Sequence, residues 1–290
     1  MPPMIWEERP DGLRAPAMIC AFGGWNDAGE AATSAVNFLA SSLDAYRFAH
    51  LDPEDFYDFQ ATRPQISLVE GEAREINWPM VEIWAAKAPR APRDLILLTG
   101  PEPSMRWQTL CSSVVDLAEA MGVQMAVSLG ALLADVPHTR PVPMVGVTSD
   151  EALAERVGIA PTTYQGPTGI TGVLHSAFQE SGIPSASLWA SVPHYVAAAP
   201  NPKASLALVR KLESLVGISF DATELERDAS DYERRVSGAV AGDDDVRQFV
   251  ERLEQASDAD APEAEGEEVP SGDVLAREFQ RFLNQRGDDA

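Results

Sequence analysis

Cysteine is scarce in this 290-residue sequence, and long apolar runs are missing. Cys20 and Cys111 stand in apolar stretches without the spacing of a metal site or a disulfide framework, so we expect two buried, unreactive side chains. No segment approaches the roughly 20 apolar residues of a membrane span. The start MPPMIWEERPDGLRAP is charged and proline-rich and has no apolar core of a signal peptide. These absences predict a cytoplasmic protein with no membrane partner.

Basic residues are also few. The sequence has 22 of them and 45 acidic residues, so the net charge is −23. A charge of this sign argues against nucleic acid or an anionic membrane as a partner. The acidity is uneven along the chain. Residues 221–290 hold 21 of the acids and 8 of the basic residues, so this last quarter alone carries −13.

Well-known catalytic motifs are missing as well. Ser128 lacks the preceding glycine of a nucleophile elbow, and none of the three lysines stands in a phosphate-binding P-loop. Asp135 and His138 are three residues apart in a proline-rich loop, where the helical geometry of a metal-binding pair is not expected. His175 and His194 occur singly, and we interpret both as structural. We therefore predict no metal and no cofactor.

Apolar runs of strand length alternate with helical patterns up to about residue 216. The predicted strands cover 16–25, 46–52, two strands within 65–88 joined at Glu70–Glu72, 93–103, 125–136, 144–149 and 186–196. The predicted helices cover 29–43, 107–121, a short segment capped by Ser149 or Asp150, 171–181 and 203–216. This alternation predicts an α/β fold of three layers, with helices on both faces of a mostly parallel, mixed sheet.

The remainder of the chain has a different character. Residues 217–256 contain two amphipathic helical patterns and are predicted to form a helical extension of the 1–216 core domain. Residues 257–270 hold six acids and no basic residue, which is typical of a solvated linker. Residues 271–290 predict a C-terminal helix with Ser271 as its N-cap.

Several glycine-rich, polar loops follow the predicted strands. In sheets of this kind, ligands lie beyond the carboxyl ends of the strands, so these loops are expected to converge on one rim. The candidate ligand-binding residues are Asn26, Asp27, Glu102, Arg106, His138, Gly166, Thr168 and Gly169.

Each candidate also has a structural interpretation. Asn26 or Asp27 is suited to cap the helix that begins near Ala28. Glu102 and Arg106 flank a strand end, where they are able to pair with each other or to bind a carboxylate or phosphate.

The loop YQGPTGITG over 164–172 leads into a predicted helix, and its free N–H groups are suited to hold an anion. The structural interpretation is a tight turn. In that turn Thr168 or Thr171 caps the helix, while Gly169 and Gly172 allow close packing against the sheet.

Five ordered blocks over residues 16–216 resemble the proteasome assembly chaperone 2 family, and in particular its actinobacterial branch. The blocks are AFGGWNDAGEAA, LILLTGPEP, SLGALLADVPHTRP, TYQGPTGITGVL and ASVPHYV. The resemblance implies an α/β/α core related to nucleoside phosphorylase and peptidyl hydrolase folds, without an established catalytic constellation. It also implies a homo-oligomer, a trimer in this branch, and proteasome subunits among the partners. Proteasome-binding relatives end in a hydrophobic residue, a tyrosine and one further residue, whereas this sequence ends RGDDA.

Two functions from different classes follow. The first is a non-catalytic, oligomeric protein of assembly-chaperone type, favoured by the ordered blocks and the missing catalytic motifs. The alternative is a small-molecule-binding protein, or a hydrolase- or phosphorylase-like enzyme, that acts on an anionic or nucleoside-like ligand at the strand-end loops.

Limited proteolysis tests the predicted domain organisation. We expect the first cuts within 257–270, because six acids without a basic residue cannot collapse onto an acidic body. Mass spectrometry of the fragments should show a resistant core. Early cleavage within 16–216 would contradict this organisation.

Overall fold

The computed structural model describes residues 4–69, 73–149, 153–154, 158, 165–196 and 199–260. Its strands are β1 Met4–Trp6, β2 Ala17–Gly23, β3 Tyr46–Leu51, β4 Gln65–Val69, β5 Ala73–Asn77, β6 Glu82–Ala86, β7 Leu95–Pro101, β8 Met125–Ala134, β9 Met144–Thr148 and β10 Ser185–Pro193. Its helices are α1 Ala31–Ser42, α2 Pro53–Phe56, α3 Trp107–Ala120, α4 Ile170–Ser181, α5 Pro202–Val216, α6 Thr223–Val240 and α7 Asp244–Asp260. A single 3₁₀ turn, Ala28–Glu30, precedes α1.

Eight strands form one mixed sheet in the order β1-β3-β6-β7-β2-β8-β10-β9. The four strands β7, β2, β8 and β10 are parallel and form its centre, while the strands on both sides of them run antiparallel. The central strands are buried on both faces, which explains their near-continuous apolar sequences. Their carboxyl ends therefore lie at one edge of the sheet.

Alternate residues of the central strands serve two separate cores. On β2, Ile19 faces the core formed with α1 and α5, whereas Met18 and Cys20 face the core formed with α3 and α4. This is the three-layer α/β/α arrangement with a mixed sheet that the sequence predicts, and it is confirmed. Cys20 and Cys111 are both buried and free, and burial raises the pKa of the Cys111 thiol to about 12.

The segment 65–88 differs from the prediction of two strands. It holds the hairpin of β4 and β5, which forms a sheet of its own, and then a third strand, β6, in the large sheet. The break between them is the stretch Trp78–Val81, where Pro79 cannot donate a ladder hydrogen bond. Of the short helix predicted after Ser149, residues 153–154 are helical and most of the rest lies outside the described residues.

The helical extension packs onto the body. Helix α6 lies against α5, and the side-chain amide of Asn201 donates to the Tyr232 hydroxyl at 3.1 Å. Helix α7 continues to Asp260, so the first residues of the predicted acidic linker are helical. The rest of that linker and the predicted helix 271–290 lie outside the described residues. Within the described ranges, no helix has the length and apolar character that crossing a bilayer requires.

Candidate functional site

The carboxylate of Glu102 joins three elements at the edge where the parallel strands end. Glu102 follows β7, and its backbone N–H donates to the Gly23 carbonyl at the end of β2, at 2.7 Å. Its Oε1 accepts from the Asn26 side-chain amide at 2.6 Å and from the Ile170 backbone N–H at 2.9 Å. Glu102 thus links the ends of β7 and β2 through its backbone, and its carboxylate links Asn26, which follows β2, to the first residue of α4.

The predicted cap of α4 is wrong. The helix begins at Ile170 with Gly169 as N-cap, and a glycine has no side chain to accept a hydrogen bond from the first turn. Thr168 is exposed, and Thr171 is already inside the helix with a buried side chain. Glu102, which is 68 positions away in sequence, takes the first N–H instead, and a negative charge at a helix N-terminus is favourable. The chain therefore supplies its own anion where the loop was expected to bind one.

Gly169 allows this contact because it has no side chain. A Cβ at this position would lie 2.2 Å from Asn26 Oδ1 and 2.7 Å from Glu102 Oε1, distances that atoms do not tolerate. Gly169 was expected to allow close packing against the sheet, and the close approach is instead to the side chains of Asn26 and Glu102, which follow β2 and β7. Gly166, further back in the loop, is exposed.

Asp27 turns away from Glu102, towards α1. Its Oδ1 accepts from the Ala32 N–H at 2.6 Å, and its Oδ2 accepts from the Thr33 N–H at 3.3 Å and from the Thr33 hydroxyl. Asp27 is the residue that caps the helix, while Asn26 binds Glu102 and accepts from the Ala131 N–H through its backbone carbonyl. Burial raises the pKa of the Asp27 carboxyl, although its hydrogen bonds to α1 oppose that effect.

Arg106 does not pair with Glu102. Its guanidinium binds the Asp55 carboxylate of α2 and lies 5.8 Å from the centre of the Phe56 ring. The sequence suggested Glu102 as a partner of Arg106 because the two residues are four positions apart. In the structure Arg106 has a left-handed backbone conformation, with φ of 57°, at the start of α3. Glu102 and Arg106 therefore bind different partners.

His138 belongs to a second cluster, which holds the helical extension. Its Nδ1 lies 2.7 Å from the Tyr195 hydroxyl and its Nε2 lies 3.0 Å from the Ser237 hydroxyl of α6. Its carbonyl accepts from the Lys203 ammonium of α5. The residue is 3% exposed. Burial is the main cause that lowers the pKa of His138, and the nearby Lys203 charge adds to it.

The predicted rim residues therefore fall into separate groups. Asn26, Glu102 and Gly169 come together, whereas Asp27, Arg106 and His138 each bind elsewhere. Asp135 pairs with His194 at 2.9 Å and not with His138. Across the described residues, no group of three or more His, Cys, Asp and Glu side chains is placed to hold a metal ion.

Sequence reasoning missed the partners that make these clusters. Thr33, Asp55, Lys203 and Ser237 are ordinary surface residue types in sequence, and each meets its partner only through the fold. Tyr195 carried a signal, since an aromatic residue with a hydroxyl at a strand end is suited to bind a neighbouring loop.

The substitution Gly169→Ala tests the packing around Glu102. We expect it to lower the free energy of unfolding by about 1–3 kcal/mol, because the new methyl group displaces the Asn26 amide from Glu102. The control is Gly238→Ala in α6, where no atom lies within 4 Å of the added Cβ, and it should leave stability unchanged or raise it. Chemical denaturation measures both. Equal effects of the two substitutions would contradict the proposed role of Gly169.

Acidification tests the buried histidines. Burial lowers the folded-state pKa of both His138 and His175 below the ordinary value of 6.5, so unfolding takes up protons as the pH falls past that value. We therefore expect the free energy of unfolding to decrease as the pH falls below 6.5. In His138→Gln, urea unfolding at pH 7.5 and 5.5 should show a smaller decline. An unchanged decline would mean that His138 is not one of the groups responsible.

Comparison with known proteins agrees with this fold. The model of the PAC2 family matches residues 21–240, which extend through α6. A PAC2 family protein from Streptomyces avermitilis is 46% identical, with a TM-score of 0.76 over 81% of this chain and 99% of that chain. The proteasome-assembly chaperone homologue of Mycobacterium tuberculosis is 43% identical, with a TM-score of 0.75 over 81% and 99%.

A more distant structure shares the fold alone. PbaB, an archaeal proteasome activator from Pyrococcus furiosus, is 19% identical and has a TM-score of 0.65 over 81% of this chain and 97% of that chain. No curated protein matches the sequence. With a family model that covers 21–240 and actinobacterial relatives at 43% and 46% identity, the chain belongs to the PAC2 family.

Proposed function

We propose that this chain is an assembly-chaperone-like protein that acts in the cytoplasm by contact with other protein chains, its own copies included, and turns over no substrate. Its partners would include proteasome subunits. Support for this role comes from family membership and from the 43% identical proteasome-assembly chaperone homologue of Mycobacterium tuberculosis. The observation that carries the proposal is an apolar face on the hairpin of β4 and β5.

The hairpin is amphipathic, and Ile66, Leu68 and Ile76 are exposed in the part of the chain that the structure describes. Ile66 pairs with Ile76 and Leu68 with Arg74, so these four side chains share one face. Of the three aliphatic residues, Ile66 is 63% exposed, Leu68 is 65% exposed and Ile76 is 51% exposed. The opposite face carries the polar residues Gln65, Ser67, Glu75 and Asn77 beside the Val69–Ala73 pair, and there the Asn77 amide donates to the Ser67 hydroxyl at 3.0 Å.

This one-sided pattern is typical of a hairpin with one face against another surface. Among the described strands, neither β4 nor β5 pairs with the large sheet. An isolated two-stranded hairpin is only marginally stable in water, so a covering partner would stabilise it. A second copy of the chain offers the same apolar face, and a closed homo-oligomer would bury it in every subunit. The trimer is the form that the family resemblance implies.

The arrangement of the rim favours this role over the alternative of an anionic ligand. A hydrolase or phosphorylase needs a nucleophile or a base that is activated by a neighbouring group. Glu102 and Asp27 bind helix N-termini instead, and His138 binds two hydroxyl groups. The carboxylate of Glu102 at the start of α4 would also repel a second anion there.

Two matched substitutions on β4 test the role of the hairpin. Leu68→Glu adds a negative charge to the apolar face, and Gln65→Glu adds the same charge to the opposite face. We expect wild type and Gln65→Glu to be oligomers by light scattering at micromolar concentration, and Leu68→Glu to have a lower mass, because a buried carboxylate opposes the contact.

Two outcomes would count against the proposal. If wild type is a monomer, the oligomer claim fails and the small-molecule alternative takes precedence. If both substitutions reduce the mass equally, added charge is the cause and the apolar face is not the interface.

A further inference from the structure

A groove of about 1120 Å³ lies between α6, the start of α7 and the loop that follows β10. Val236 and Val240 of α6 and Val246 of α7 line it, and all three side chains are half-buried. Val236 and Val240 are four residues apart and so lie on one helix face. Pro200 lines the groove from the loop.

The walls of the groove are charged. Asp228, Asp231 and Asp243 line it together with Arg234 and Arg235, and Arg234 binds Asp231. Taken as a whole, residues 221–260 contain 13 acids and five arginines. An apolar floor within an acidic surround is suited to an amphipathic helix that carries basic residues.

The sequence contains such a segment after α7. In residues 271–286, Leu275, Phe279, Phe282 and Leu283 follow the i, i+4, i+7, i+8 spacing of a single helix face. The same segment carries three arginines and two acids. It is therefore slightly basic, whereas the helices that line the groove are strongly acidic.

The chain is long enough for this segment to reach the groove. From Val246 to the last residue of α7, Asp260, a helix rises about 21 Å. The ten residues 261–270 span up to about 33 Å when extended, which is enough to return along α7. A helix over 271–286 would be about 24 Å long. The groove residues on α6 extend from Asp228 to Val240, a rise of about 18 Å.

We propose that residues 271–286 form a helix whose apolar face docks in this groove of the same chain. The docked helix covers the valines of α6 and α7, and its arginines face the aspartates that line the groove. Residues 261–270 connect this segment to α7. This inference does not depend on the proposed function, since it concerns a contact within the chain and not the hairpin face.

Amide hydrogen exchange on the full chain tests the docking. In wild type we expect 271–286 to exchange roughly tenfold or more slowly than the linker 261–270. Phe279→Glu should remove that protection and speed exchange in 228–246 as well. The control is Asn284→Glu, which adds the same charge to the opposite face of the predicted helix and should change neither region.

A change on the groove side provides an independent measurement. Val240→Glu should speed exchange in 271–286, while slow exchange in β2 and β8 shows that the body is still folded. Wild-type exchange in 271–286 as fast as in the linker would overturn the proposal. So would protection that neither Phe279→Glu nor Val240→Glu reduces.

Cross-linking distinguishes docking within one chain from docking between copies. A chain with Val240→Cys and Phe279→Cys should form a disulfide within a monomer-sized product, and the two native cysteines are buried and do not compete. A disulfide that forms only between chains would overturn the claim that the segment docks in its own groove.

Discussion

The contact of the Glu102 carboxylate with Asn26 and with the first N–H of α4 is the interaction on which the strand-end edge depends. A carboxylate at this partly buried position needs donors, and here an amide and a helix N-terminus provide them. Loss of the carboxylate would leave the Ile170 N–H and the Asn26 amide without their acceptor. The need for glycine at position 169 has the same cause, because only a residue without Cβ lets the start of α4 lie so close to Asn26 and Glu102.

The two polar clusters divide the strand-end edge between them. Glu102 secures α4 on one face of the sheet, while His138 secures α5 and α6 on the other through Lys203 and Ser237. Helix α7 is held from the same loop as His138, where Arg140 binds Asp258 through two bonds of 2.7 Å. The polar residues that a ligand-binding α/β protein would present to solvent are used here to attach helices.

The fold could be predicted from sequence largely because its strands are simple to recognise. Four central strands buried on both faces give continuous apolar runs, and the helices between them show regular spacing. The site was predictable only in part, since Glu102, Asn26 and Gly169 do meet. Local spacing suggested Thr168 or Thr171 as the cap and Arg106 as a partner of Glu102. The real partners are distant in sequence, and tertiary contacts of this kind leave no local pattern.

Net charge sets a condition on any contact between copies of this chain. Subunits that each carry −23 repel one another, although salt limits that repulsion to about 8 Å at physiological ionic strength. Association therefore requires an apolar contact area with few acids. Full burial of an aliphatic side chain contributes roughly 1.5–3 kcal/mol. Ile66, Leu68 and Ile76 are 51–65% exposed, so each has roughly half of that gain left to make at an interface, and the proposed hairpin contact would set this gain against the screened repulsion.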